Sequence, residues 1–254
     1  MANFTAQNTI LVGISVGISV IVNILRVVIR KLTQFEAHHT LTSYLSSTTT
    51  KLWIVQFVGS AVVLMLINAN LPTVNKFLPP SFPLLRGSYK DFSTDWYAAV
   101  GTTIAFSTFI NSLATTSQIS GYFIKGFKRC CDQKCLCNPK RTFKLVQSEY
   151  EELYMGGEQQ FETRYSQLVA FTMVIMLFGT AMPLLYLAGF VLTGSLYWSS
   201  KCLFLRYYRN PPLYGLELAL RVRSILEWSV VIHLVFGLYM LTTPGVLIVP
   251  RSIH

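Results

Sequence analysis

Six apolar blocks punctuate this chain, at residues 10–29, 52–71, 96–119, 168–182, 183–198 and 226–249. A helix needs ~20 apolar residues to cross ~30 Å of hydrocarbon, and most of the blocks meet that length. Apolar residues fill 52% of the 254 positions and charged residues 13%, a balance that reads as an integral membrane protein. The expected fold class is all-α integral membrane, a bundle of about six helical elements. One transmembrane domain is expected over 1–254, with residues 121–165 as a cytoplasmic linker rich in Cys and Lys.

The fourth and fifth blocks form one apolar stretch, too long for a single upright span and short for two full ones. Pro183 stands in its middle, with Gly179 and Gly189 on either side. Proline removes a backbone donor and breaks a helix. The stretch therefore predicts a helical hairpin with two short arms, hinged at Gly179, Pro183 and Gly189.

The net charge is +10, which raises the question of nucleic acid. The distribution excludes it. Segments 26–51, 121–165 and 199–224 hold 17 of the 21 Lys and Arg. Placing those segments in the cytoplasm satisfies the positive-inside bias and sets both chain ends outside. Trp53, Trp96, Trp198 and Trp228 then fall at span ends, where amphipathic rings prefer to sit. Arg26, Arg30 and Lys31 follow the first span, which reads as an anchor with its N-terminus out rather than a secretory peptide. Asn3-Phe4-Thr5 is a glycosylation sequon on the expected outer side.

The third block carries too many hydroxyls for a plain anchor. Thr103, Ser107, Asn111, Thr115 and Gln118 recur at three- or four-residue steps and form one polar stripe on a helix. Such a stripe needs other helices or water beside it. Two readings stand: a permeation path, or hydrogen bonding between helices by small polar residues. On the first reading Asn23 and Gln56 add to the lining. Asp91 and Asp95 stand at the mouth of this span, and Asp95 also fits an N-cap before Trp96.

Other features invite chemistry and have plainer explanations. Gly13 and Gly17 form a GxxxG pattern that suits close helix packing. The connector 31–51, with Glu36, His38 and His39, reads as a polar loop at headgroup level; four His in the chain are too few for a membrane di-iron site. Cys130, Cys131, Cys135 and Cys137 lie within eight residues. They leave three readings open: reduced cytoplasmic thiols, palmitoylation, or a zinc site of unusual spacing. Residues 142–155 are amphipathic and end at Gly156-Gly157. His233, the ionisable group deep in the last block, is either functional or a hydrogen-bonded structural residue.

Two stretches resemble a known superfamily. Leu32-Thr33-Gln34-Phe35-Glu36-Ala37-His38-His39-Thr40, followed by Lys51-Leu52-Trp53-Ile54-Val55-Gln56-Phe57-Val58, resembles a connector and span of the anoctamin superfamily, which also holds the OSCA and TMC channels. Tyr165-Ser166-Gln167-Leu168, Thr180-Ala181-Met182-Pro183-Leu184-Leu185 and Arg206-Tyr207-Tyr208-Arg209-Asn210-Pro211-Pro212 are similar to its proline-centred hairpin and the basic segment beyond. The resemblance covers residues 23–212 and implies the groove-lining helices of that superfamily, as a minimal or truncated pore module. It also implies carboxylates where calcium-gated anoctamins bind calcium. Here Asn111-Ser112-Leu113, Arg164, Gln167 and Ser199-Ser200-Lys201 stand there instead. A calcium site needs several negative oxygens, so the calcium-independent OSCA-like branch fits better.

The expectation is a channel-like, mechanosensitive, calcium-independent transport protein for monovalent or divalent cations, with the lipid bilayer as its surroundings. A phospholipid scramblase and a non-conducting subunit are the alternatives, and a homodimer or heteromer is compatible with each. No cofactor and no nucleic acid are implied. No nucleophile–base constellation or phosphate loop points to an enzyme.

Overall fold

The helix at the centre of the molecule, α6 (Phe161–Phe178), is covered on every side. Its second half, Leu168–Phe178, is apolar all round, and a helix without a polar face has to be enclosed. Around it stand α2 (Leu41–Asn68), α7 (Leu184–Arg206) and α8 (Glu217–Thr242), each packed directly against it. The third long helix in chain order, α3 (residues 94–114), packs on α7, and α1 (Ala2–Phe35) packs on α2. Two shorter helices, α4 (Gln118–Asp132) and α5 (Gln147–Tyr154), complete the set among the described residues. The computed structural model describes residues 2–70, 87–89, 91–114, 118–132, 142, 144–210 and 214–242, with backbone only for 2–12, 14–16, 18, 19, 114 and 118. The fold is all-α, with no strand among the described residues. Within them, α2 and α8 are long and apolar enough to cross a membrane.

Local chemistry sets the helix ends. Thr40 caps α2, its Oγ1 accepting from the Ser43 N–H at 3.2 Å. Ahead of it α1 closes with Ala37 in the left-handed region at φ 47°. Ser93 caps α3 through the Trp96 N–H at 3.4 Å, so the cap is Ser93, and Asp95 sits inside the first turn. Gly179 ends α6 and Pro183 precedes α7, where its missing N–H costs nothing. Arg129 of α4 donates to the Leu153 and Tyr154 carbonyls, at 3.1 and 2.9 Å, and so closes the C-terminus of α5.

The proline-centred hairpin is present, but its arms are longer than expected. α6 starts at Phe161, where Glu162, Thr163, Arg164 and Ser166 are covered by neighbouring helices, and α7 runs to Arg206 with Ser199 and Leu203 buried and Lys201 and Arg206 exposed. The connector 31–51 is not a loop. Helix α1 continues to Phe35 and α2 begins at Leu41, since Thr40 supplies a cap and the hydroxyls of Thr48 and Thr50 bond back to Tyr44 and Ser46 carbonyls. Of the third apolar block, residues 96–114 lie in α3 and Gln118 and Ile119 in α4, and residues 115–117 lie outside the described residues. Gly13 and Gly17 are exposed, with open space around them. Close approach occurs elsewhere, at Gly59 against Val22, at Gly101 against Met182 and at Gly237 against Thr180.

At Gly237 an added Cβ would lie 2.6 Å from Thr180 Oγ1, whereas at Gly194 it would meet nothing within 4 Å. Gly237→Val is therefore expected to destabilise the fold by ~1–3 kcal/mol through overpacking. Gly194→Ala is expected to gain up to ~1 kcal/mol of helix propensity. Thermal unfolding of the purified variants reads both signs.

Candidate functional site

Buried polar side chains gather at one end of the bundle, where α1, α3 and α7 finish and α2, α6 and α8 begin. We call this the basic end. On α1, Arg26, Arg30 and Thr33 share one face by their spacing. Thr33 is fully buried and donates to the Ile29 carbonyl at 2.9 Å. Arg30 reaches across to α6 and donates to Thr163 Oγ1. On α2 the buried polar residues are Ser46, Thr48, Thr49 and Gln56. On α3 they are Thr108 and Ser112. Helix α6 adds Glu162, Thr163, Arg164 and Ser166, and α7 adds Ser199. Arg164, 6% exposed, donates to Ser199 Oγ at 3.4 Å and hydrogen-bonds with Tyr208.

Gln56 stands out in this seam. It is 2% exposed, and neither its amide nitrogen nor its amide oxygen has a hydrogen-bond partner among the described residues. Thr49 Oγ1, Trp53 Nε1, Gln167 Oε1, Arg26 Nε and Arg30 Nε are buried in the same condition. An orphaned buried polar group costs ~1–3 kcal/mol. Such groups are rare singly, so a cluster of them calls for a functional explanation. Directly after Gln56 the helix widens into a π turn over Val58–Val62, with Val63 N–H bonded to the Val58 carbonyl. Ser60 Oγ donates to the Gln56 carbonyl at 2.7 Å. Turns of this kind recur at functional sites because they loosen the backbone ladder. The small residues Gly59, Ser60 and Ala61 make room for it.

The other half of the bundle is apolar. Ala61, Leu64, Trp96, Val100, Ile104, Phe171, Val174 and Phe178 form one buried apolar cluster there. The buried ridge of α3 shows the change along its length: Trp96, Val100 and Ile104 give way to Thr108 and Ser112 at steps of four.

Of the described residues expected to line a path, Gln56 alone lies fully in the seam. Thr103, Ser107 and Asn111 are half-buried on the neighbouring ridge of α3. Thr103 bonds back to the Ala99 carbonyl at 2.9 Å and Ser107 to the Ile104 carbonyl at 3.0 Å. The ridge that faces the bundle is Trp96–Ser112, one residue away from the expected stripe, because α7 meets α3 on that side. Asn23 is exposed beside Val22, the α1 residue seated on Gly59. Thr115 and the side chain of Gln118 lie outside the described residues, as do Cys135 and Cys137. Cys130 and Cys131 are exposed and form no disulfide among the described residues. Gly179 and Pro183 form the hairpin turn, and Gly189 lies against Ile175 within α7.

Sequence reasoning missed Arg30, Thr49, Thr163, Arg164 and Ser199 as seam residues. The spacing of Arg26, Arg30 and Thr33 on one face was the signal available. His233 takes a structural role: its Nδ1–H donates to the Met176 carbonyl at 2.7 Å, with Thr180 Oγ1 at 3.4 Å. It thereby ties α8 to the end of α6.

Two surface grooves flank the seam. One, of about 570 Å³, lies between α6 and α7 and includes Arg164, Leu168, Leu196 and Lys201. The other, of about 460 Å³, lies between α2 and α8 and includes Trp53, Glu217 and Arg221. Among the described residues no group of three or more His, Cys, Asp or Glu is placed to hold a metal. At the α1–α2 turn, the Lys51 ammonium hydrogen-bonded to Glu36 holds that exposed carboxyl below its ordinary range. Burial pushes the Glu162 carboxyl above its ordinary range. No family model, curated protein or solved structure matches this chain.

Because Glu162 holds its proton more tightly when folded, its contribution to stability is fully present below the unfolded pKa near 4.5. It is lost as pH rises through the raised folded value. Glu162→Gln is expected to flatten the decline of thermal stability over that rise. Replacing His233 by Leu is expected to cost ~1–3 kcal/mol by orphaning the Met176 carbonyl, again read by thermal unfolding.

Proposed function

We propose that this chain is a multi-pass integral membrane protein that conducts ions along the polar seam. The membrane reading is supported by apolar side chains that the fold leaves uncovered. Ile54 and Val58 on α2, Phe190 on α7, and Leu234, Val235 and Leu238 on α8 are all exposed. In the apolar windows of α2 and α8 only 28% and 17% of residues are buried, whereas a core helix of a soluble protein is mostly covered. So much exposed apolar surface exceeds what a soluble monomer tolerates. With the membrane reading, the basic end is cytoplasmic and both chain ends lie outside.

The transport reading rests on one observation, the buried and unpartnered Gln56 amide beside a π turn where the seam meets the apolar cluster. Amides and hydroxyls partly replace water around a permeant ion. The apolar cluster in the outer half acts as a constriction that closes by staying dry. Tension that parts α2, α3 and α6 would wet it, with Gly179 and Pro183 as the turn that gives. The resemblance to OSCA-like channels agrees with this mode of gating. The sign of the ion is revised, however. Arg26, Arg30 and Arg164 surround the inner seam, where Glu162 is the one buried carboxyl beside them among the described residues. That field favours anions over the cations first expected.

A second reading, phospholipid scrambling, is favoured by the α6–α7 groove, which opens sideways onto uncovered apolar surface. Flipping of labelled lipids in vesicles tests it.

The test of conduction is tension-activated anion current from the reconstituted full chain. Gln56→Leu is expected to raise thermal stability, since it removes an orphaned amide, and to lower the current about tenfold or more. Silence of the wild-type chain under tension would sink the proposal, as would a current that Gln56→Leu leaves unchanged.

A further inference from the structure

We propose that α4 lies in the plane of the leaflet at the basic end, its apolar face among acyl chains and its cations among anionic headgroups. This inference rests on the membrane reading above and is independent of whether the seam conducts. Phe123, Ile124 and Phe127 are 67%, 55% and 71% exposed, although a helix in water turns such side chains inward. Their spacing sets them on one face of α4, with Ser120, Cys130 and Cys131 on the same arc. The opposite face is already engaged. There the Lys125 ammonium donates to the Met155 carbonyl at 3.2 Å, and Arg129 donates to the carbonyls that end α5. The Tyr122 ring meets the Tyr207 ring, just past the end of α7, at 6.2 Å. Helix α4 is thus gripped by its polar side, and that grip turns the apolar side outward.

Level and charge decide what covers the apolar side. Helix α7 still shows apolar side chains outward in its last turn, where Phe204 and Leu205 are exposed. Uncovered apolar surface therefore reaches the end of the bundle on which α4 docks. Residues 118–144 carry seven Lys and Arg against one carboxylate, Asp132. Lys128, which is exposed, directly flanks the apolar face, and its stem lets the ammonium rise to the headgroups while the rings stay below. An apolar face rimmed by cations matches a sheet with an apolar interior and an anionic surface, which is a lipid leaflet. A second copy of the chain would bring the same cations to the same face and be repelled.

The experiment uses the full wild-type chain in nanodiscs of phosphatidylcholine and phosphatidylglycerol. One of the two lipids carries a photoactivatable diazirine on its acyl chain, and adducts are mapped by peptide mass spectrometry. Phe123, Ile124 and Phe127 are expected to be labelled about fivefold or more above α5, the aqueous control. At equal mole fraction, diazirine phosphatidylglycerol is expected to mark α4 about threefold more than diazirine phosphatidylcholine. Lys128→Glu is expected to reduce that preference and Lys128→Arg to keep it. Labelling of α4 no higher than α5, equal marking by the two lipids, or indifference to Lys128→Glu would each overturn the proposal. If adducts still form on Leu234 and Leu238 of α8, the membrane reading survives that failure. Absence of adducts there as well would overturn both.

Discussion

Everything in this fold is arranged to enclose α6. An apolar helix with no polar face has no stable position at a surface exposed to water, so three helices converge on it from different sides. The enclosure has a side effect. Helix α6 begins seven residues ahead of its apolar stretch, with Glu162, Thr163, Arg164 and Ser166 in those first turns. Once α2, α7 and α8 close around the apolar half, these polar residues are buried as well. They must then be satisfied by whatever faces them, and Arg30, Ser199 and Tyr208 supply much of that. The polar seam is thus a consequence of covering α6 along its whole length.

The bundle divides into two halves with different physics. The half near the hairpin turn is a packed apolar cluster, closed by Gly237 against Thr180 and by His233 on the Met176 carbonyl. The half at the basic end carries hydroxyls, amides and guanidinium groups, several of them short of partners. Close packing makes the first half rigid. Unsatisfied polar groups make the second half costly to keep dry. A sequence selected only for stability would replace Gln56 with Leu or Met, which fit the same volume at lower cost. Its presence is the strongest argument for function in the chain.

Much of the architecture was legible in the residues. The apolar blocks located the long helices, and Pro183 with Gly179 located the hairpin turn. Gln56 was legible as a polar residue in an apolar block, and Arg164 and Lys201 as cations where the resemblance to the anoctamin superfamily would imply carboxylates. The stripe at Thr103, Ser107 and Asn111 lies half-buried, one residue from the ridge that the fold buries. Its periodicity was real, but periodicity says only that these residues share a face. The helix turned the adjacent ridge, Thr108 and Ser112, towards its neighbours instead. The Ser93 cap and the helical connector after Thr40 were missed because Ser and Thr suit loops and caps alike, and the choice depends on the residues downstream of them.

What the sequence determined by itself was the inventory: helices rather than strands, where they break, and which segments carry positive charge. Those outcomes arise from local hydrophobicity and backbone chemistry, and each is decided within a few residues. Which face of each helix is buried was decided only by the tertiary structure. So was the meeting of Arg30 with Thr163, 133 positions apart, and the isolation of the Gln56 amide. Such facts depend on the azimuth at which distant helices touch, and that angle is fixed by the shapes of all the partners together.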